Sequence, residues 1–340
     1  MADLEPAMTT AKRWYSLRVA FSGAPTLMTV FTAAVVQAAP VGFDIARTLD
    51  KLADLSADAA RRGAKIAVFP EAFVSAYPKG LDFGARVGMR SPEGRDMFRR
   101  YFESAIEVPG PHTERIGKAA KASGLTLVVG VIERDGGTLY CTALLFSVDG
   151  ALVGKHRKLM PTAMERLIWG QGDGSTLAVM DTPQGRVGAV ICWENYMPLL
   201  RTAMYAKGVE LYCAPTVDCR RTWPPTMRHI AVEGRCFVLS ACQFARRSDF
   251  PHDYPIDASQ LPETGNDPAL IDGGSMIVSP FGEVLAGPDY DGERILTAEI
   301  DRGLIAQGKF DLDVVGHYAR PDVFELRVDE REKLPVTRVI

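Results

Sequence analysis

The first apolar run of strand character is Thr29-Val30-Phe31-Thr32-Ala33-Ala34-Val35-Val36-Gln37. A segment of different period follows. Ile45, Leu49, Leu52 and Leu55 recur at helical spacing between an acidic start at Asp44 and a glycine stop at Gly63, which predicts an amphipathic helix. Lys65-Ile66-Ala67-Val68-Phe69 is then a short continuous apolar run ended by Pro70-Glu71, the pattern of a strand buried on both faces. Glu71 emerges at its end. A second helix is predicted over Thr113 to Gly124, leading into the strand Leu125 to Val131. Two β runs, 138–148 and 151–156, are joined at Asp149-Gly150 and read as a hairpin. Further apolar runs at 176–181, 186–191, 209–214, 236–241, 274–279 and 293–300 read as strands, with helices near 197–207 and 224–234. Strands alternating with helices early and hairpin-linked strands later predict a layered α/β protein with mixed sheets.

No linker divides the pattern, so one domain is expected over residues 28–322. Residues 1–27 have weak periodicity and the breaker Gly23-Ala24-Pro25; they read as a disordered extension or an early start, with Met28 an alternative initiator. Residues 323–340 read as a C-terminal tail, and the polar stretch from Asp249 to Pro268, with four prolines, as a surface loop. The 340-residue chain is 47% hydrophobic and 24% charged, which is ordinary globular composition. A net charge of −3 with no basic stripe argues against nucleic acid and for a small-molecule partner.

Six cysteines without a Cys-x-x-Cys pair, and five histidines without ligand spacing, predict no metal and no disulfide framework. Cys213, Cys236 and Cys242 sit in apolar runs and read as buried thiols. No apolar run reaches the ~18 residues of a membrane span, and Asp3 and Glu5 spoil a signal sequence, so a reducing, cytoplasmic location is expected.

Three residues stand out chemically. Cys192 lies between the strand pattern ending at Ile191 and the helical pattern from Met197, a turn that would expose a nucleophile near backbone N–H groups able to lower a thiol pKa. Glu71 also ends a strand, so both side chains are expected to project into one crevice. Lys158 lies in Lys155-His156-Arg157-Lys158-Leu159. Each has a bland alternative: a structural thiol, a surface carboxylate, a solvated basic cluster. Together they suit attack on a carbon–nitrogen bond, because a carboxylate can move protons, an ammonium can stabilise developing negative charge, and a thiolate can carry the adduct.

The segments Phe69-Pro70-Glu71-Ala72-Phe73, His156-Arg157-Lys158-Leu159-Met160-Pro161-Thr162 and Ile191-Cys192-Trp193-Glu194-Asn195 resemble the nitrilase superfamily, and within it the true nitrilase branch. The stretches Glu165 to Ser175, Met227 to Phe237 and Gly316 to Asp322 are similar to the same branch. The resemblance implies an α-β-β-α sandwich extended by subunit association, hence a homo-oligomer. It also implies a nitrilase with no cofactor, which hydrolyses an organic nitrile to an acid and ammonia through a cysteine thioimidate and thioester. Cys192 is then the nucleophile, Glu71 the general base and Lys158 the charge stabiliser, and a second glutamate maps onto Glu165. Trp169, Tyr196, Trp193 and Tyr77 are expected to bind substrate, although Trp193 also reads, with Glu194, as support for the turn. Glu194 is expected in a buried hydrogen-bonded network, and Glu233 in a structural role. An amidase or carbamoylase of the same superfamily, and a catalytically silent assembly protein, are the rival readings. The Met227 to Phe237 stretch leans toward aliphatic or arylaliphatic nitriles.

Overall fold

The computed structural model describes residues 29–256, 267–334 and 336. The expected extension at 1–27 lies outside the described residues. Among the described residues, fourteen strands and six α-helices follow in order. They are β1 (Val30–Gln37), α1 (Ile45–Arg61), β2 (Ala64–Val68), α2 (Pro92–Glu103), α3 (Pro111–Ser123), β3 (Thr126–Asp135), β4 (Thr138–Phe146) and β5 (Leu152–Arg157). Next come β6 (Val179–Thr182), β7 (Gly185–Ala189), α4 (Pro198–Ala206), β8 (Leu211–Thr216), α5 (Trp223–Gly234), β9 (Phe237–Cys242) and β10 (Phe244–Arg246). The series ends with β11 (Ala269–Asp272), β12 (Ser275–Val278), β13 (Val284–Asp289), β14 (Arg294–Asp301) and α6 (Gly303–Asp311).

Two six-stranded sheets run in the orders β14-β1-β2-β3-β4-β5 and β13-β12-β9-β8-β7-β6, beside a small β10-β11 pair. Both are mixed in the same way. Three central strands are parallel (β1, β2, β3 and β7, β8, β9), and the outer pairings are antiparallel. Side chains alternate across each strand, and the alternation sorts the core into layers. Val35, Ile66, Val68 and Val128 of the first sheet meet Val187, Ala189, Leu211 and Leu239 of the second. On the outer face, Ala34, Val36, Ala67 and Val129 pack against Leu49 and Leu52 of α1 and Ile116 and Ala120 of α3. Tyr212, Ala214 and Val238 pack against Leu200, Met204, Met227 and Ile230 of α4 and α5. The arrangement is the expected α-β-β-α sandwich.

Local signals explain the elements. Asp44 caps α1, its carboxylate accepting from Arg47 N at 3.0 Å. Gly124 closes α3 in the left-handed conformation. The expected hairpin is β4-β5. One expectation needs correction: the loop after Asp249 is not wholly superficial. Phe250 and Tyr254 are buried against Ala76, Val217 and Ile271, because two aromatic side chains hidden from water outweigh the polarity of their neighbours. Residues 257–266 of that loop lie outside the described residues. No helix among the described residues is long and apolar enough to cross a membrane.

Candidate active site

The Glu71 loop leaves β2 and crosses onto β3. Phe69 N donates to Val128 O at 2.8 Å, and Val74 N to Gly130 O at 3.1 Å. The approach demands glycine at 130, where a Cβ would stand 2.1 Å from Pro70 O. Ala72, Ser75 and Ala76 hold left-handed φ of 50°, 91° and 74°, a conformation costly for residues with a Cβ. Gln243, just past β9, donates from Nε2 to Glu71 O at 2.7 Å, tying this loop to the opposite sheet. Lys158 follows β5. Its N–H donates to Cys141 O and its carbonyl accepts from Gly172 N, each at 2.8 Å. Glu165 sits in the 3-10 turn Ala163–Leu167, where its carboxylate accepts from Thr162 N at 2.6 Å.

These three segments bring their charges to one point. Lys158 Nζ lies 2.7 Å from Glu71 Oε1 and 2.7 Å from Glu165 Oε2. The Tyr77 hydroxyl donates to Glu165 Oε1 at 2.8 Å, and Cys141 Sγ approaches Glu71 Oε1 at 3.5 Å. Glu71 and Lys158 are wholly buried. Among the described residues Glu71 Oε2 makes no hydrogen bond of ordinary length, and the Cys192 thiol is the side chain that acts on this carboxyl from the opposite sheet. That oxygen is placed to take the thiol proton.

Cys192 comes from the other sheet. It opens a short 3-10 turn, Cys192–Tyr196, three residues after the end of β7, and holds φ at 49°. Asn195 secures the turn by donating from Nδ2 to Val190 O at 3.0 Å and Cys192 O at 2.7 Å. Thr216, at the end of β8, donates from Oγ1 to Cys192 Sγ at 3.2 Å. The expected strand-to-helix turn is present, but the expected lowering of the thiol pKa is not. Burial pushes the Cys192 thiol up and the neighbouring Glu71 adds to this, against smaller opposing effects of Lys158 and Thr216. Cys192 at rest is therefore a thiol that must hand its proton to a base.

Burial also raises the Glu71 pKa, with Glu165 adding to it and Lys158 opposing. For Lys158, burial pulls downward, yet the Glu71 carboxylate, joined by Glu165, holds its pKa well above the usual lysine value. The ammonium persists because it is surrounded by acids. A base with a raised pKa beside a protonated thiol, and a fixed cation, can activate a nucleophile and stabilise the anion it creates.

The expected substrate-binding residues divide into two places. Tyr77, half-buried, is bonded to Glu165, and the buried Trp169 has its ring 5.8 Å from the Tyr77 ring, with Lys158 Nζ 5.5 Å over the Trp169 ring. Tyr77 is thus a hydrogen-bond donor within the charged cluster as well as an aromatic neighbour. Trp193 and Tyr196 are both partly exposed beyond Cys192 and pack edge to face at 5.8 Å. Trp193 Nε1 donates to Asp218 Oδ2 at 2.8 Å, while Arg220 stacks over its ring. Glu194 is in a buried network as expected, and Glu233 pairs with Arg201 at 2.7 Å. Sequence reasoning missed Cys141, Thr216 and Gln243. The one signal available was position at a strand end: Thr216 ends β8, which pairs with the cysteine strand β7, and Gln243 follows β9, the next strand beyond it. Two large clefts, of about 720 and 960 Å³, lie elsewhere and include none of Glu71, Lys158, Glu165 or Cys192. Among the described residues no group of three acidic, histidine or cysteine side chains could hold a metal ion.

Residues 32–310 match the carbon-nitrogen hydrolase family model, and the chain belongs to that family. It is 60% identical over 309 residues to an aliphatic nitrilase of Sinorhizobium fredii, covering 91% of this chain and 99% of that one. It is 55% identical over 307 residues to a bifunctional nitrilase/nitrile hydratase of Lupinus angustifolius, covering 90% of this chain and 88% of the relative. Its place is thus the nitrilase branch. Among solved structures, Nit3 of Saccharomyces cerevisiae, from branch 10 of the nitrilase superfamily, superposes with a TM-score of 0.66 at 23% identity. The match covers 87% of this chain and 99% of that one, and is a likeness of fold.

Proposed function

We propose that this protein is a nitrilase, hydrolysing an organic nitrile to a carboxylic acid and ammonia. The observation that carries the reading is the meeting of Glu71, Lys158 and Glu165 with Cys192 across the two sheets. Glu71 takes the thiol proton as the Cys192 sulfur bonds to the nitrile carbon, and the proton passes to the nitrile nitrogen, giving a thioimidate. Lys158 stabilises the negative charge on that nitrogen in the transition state. Water then adds to the thioimidate carbon, the nitrogen gains a proton and leaves as ammonia, and a thioester remains. A second water, relieved of its proton by Glu71, expels the Cys192 sulfur and releases the acid. Glu165, fixed by Lys158, Tyr77 and Thr162, orients the ammonium. Trp169, Tyr77, Trp193 and Tyr196 flank the substrate's organic group.

The name of the Sinorhizobium relative supports an aliphatic substrate. The Met227 to Phe237 stretch that suggested this class lies in α5 and the start of β9, where Met227, Ile230 and Phe237 are core residues. Ammonia release from a panel of aliphatic and aryl nitriles, each beside its amide, tests the reading. Turnover of nitriles, with a Cys192 adduct seen by mass spectrometry, supports it; turnover of amides alone overturns it.

The protein acts as a homo-oligomer in the cytoplasm. Exposed Leu199, Phe310 and Phe324 support association, since such side chains are more often covered in assemblies. The six unpaired cysteines support a reducing compartment. Light scattering checks the first statement, and subcellular fractionation the second.

A further inference from the structure

Glu194 is wholly buried and bonds to three groups. Its Oε1 accepts from Leu159 N at 2.6 Å, and its Oε2 from Ile191 N at 2.9 Å. The third partner is His156 Nε2, 2.9 Å from Oε2. Leu159 directly follows Lys158, and Ile191 directly precedes Cys192. One carboxylate therefore clasps the backbone beside the ammonium of the first sheet and the backbone beside the thiol of the second.

His156 determines the charge of the clasp. Its Nδ1 faces the carbonyl oxygen of Thr176 at 3.3 Å, while Nε2 faces the carboxylate. Both partners are acceptors, so both ring nitrogens donate only if the ring is an imidazolium. Burial opposes that charge, but Glu194 and then the Thr176 carbonyl outweigh it and raise the His156 pKa. A buried cation and a buried anion are retained here at a desolvation cost that an apolar pair would not carry.

We propose that Glu194, hydrogen-bonded to His156, is a positioning residue that sets the placement of Lys158 relative to Cys192. Its two oxygens accept from both flanking N–H groups, which an amide cannot do, since the NH₂ of glutamine would meet one donor with another. The inference rests on the reading of Cys192 as nucleophile and Lys158 as charge stabiliser. A misplacement on the order of 1 Å between reacting groups costs ~100-fold in rate.

The test is Glu194→Gln, with wild type and Cys192→Ala as controls, on an aliphatic nitrile. Expected is a kcat lower by roughly 10- to 100-fold with KM changed less than about threefold, together with a slower alkylation of Cys192 by iodoacetamide in protein shown by circular dichroism to be folded. Glu194→Asp, which keeps the charge, recovers part of the rate. Normal kcat and alkylation per folded molecule overturn the inference while wild-type turnover leaves the nitrilase reading intact. A wild type without nitrile turnover overturns that reading first, and the alkylation comparison still decides the positioning. If Glu194→Gln does not fold, His156→Gln takes its place. It keeps a donor toward Glu194 and removes the positive charge, and an unchanged kcat and alkylation rate there equally overturn the inference.

Discussion

The two sheets contribute unlike halves of the site. The first supplies a charged cluster whose members restrain one another: Lys158 between two carboxylates, Glu165 with three donors, Glu71 with one oxygen anchored and one left over. The second supplies Cys192 on a left-handed residue, with one hydrogen bond to its sulfur. The difference teaches that charge placement and nucleophile placement are built by different means. Buried charges are stable only in company, so the first half belongs to the stability of the fold. The elbow holds unfavourable backbone geometry that the surrounding sheet imposes.

Substitutions separate the halves. Cys192→Ala abolishes nitrile turnover, by at least about a thousandfold, and leaves the urea midpoint nearly unchanged. Cys192→Gly is more stable than Cys192→Ala by ~1 kcal/mol, since glycine tolerates φ of 49° without strain. Equal stability of the two would remove strain from the account. Lys158→Met also abolishes turnover but costs about 3–5 kcal/mol, because it leaves Glu71 and Glu165 buried together without a cation. Glu71, whose pKa burial raises in the fold, contributes stability that is fully present below the unfolded value of 4.5 and is lost as pH rises through the folded value. The variant should therefore be weaker in urea at pH 8 than at pH 5.

The sandwich was legible because its strands are buried runs and its helices carry one apolar stripe, as Leu49 and Leu52 of α1 illustrate. Helix α2 was missed although it carries a short stripe of Met97, Phe98, Tyr101 and Phe102 at helical spacing, with Phe98 and Phe102 half-buried against the core. A second signal lay in Ser91-Pro92-Glu93, a capping residue before proline and an acid. Glu71, Lys158, Glu165 and Cys192 were singled out from their motifs, and the fold brings them together. The thiol's pKa was not: it depends on burial by loops distant in sequence. The Tyr77–Glu165 bond, spanning 88 positions, and the Thr216–Cys192 bond, spanning 24, likewise exist only after folding.

The pH profile sharpens the contrast. Because Glu71 is raised from 4.5, its basic form disappears earlier as pH falls, so the acid limb of kcat/KM lies above the ordinary carboxylate range. The Lys158 ammonium, raised from 10.5, keeps its charge throughout the neutral range and loses it only in strong alkali. A limb centred at or below 4.5 would remove Glu71 as the base. Tyr77→Phe takes one of three donors from Glu165 and lowers kcat by roughly 10- to 30-fold, a hydrogen bond to a buried carboxylate contributing about 1.5–2 kcal/mol. An unchanged kcat would confine Tyr77 to the aromatic wall.

Thr216→Val is the mildest change and addresses the other half alone. Valine keeps the shape of threonine and removes the O–H that donates to Cys192 Sγ at 3.2 Å. That bond favours the thiolate and is one of the influences opposing the upward push of burial on the thiol pKa. Without it the thiolate forms less readily, and kcat/KM falls by roughly 3- to 10-fold, equivalent to about 0.5–1.5 kcal/mol for one hydrogen bond. The stability of the charged cluster, which Thr216 does not touch in the hydrogen-bond pattern, stays as in wild type. Iodoacetamide alkylation of Cys192 followed from pH 6 to 10 reads the sulfur contact, and the variant curve shifts toward alkaline pH; the urea midpoint falls modestly, because Asp218 N loses Thr216 Oγ1, its acceptor at 2.9 Å. A variant that loses stability but keeps its alkylation curve would make Thr216 a packing residue, and the elbow would then act on its sulfur through the backbone alone.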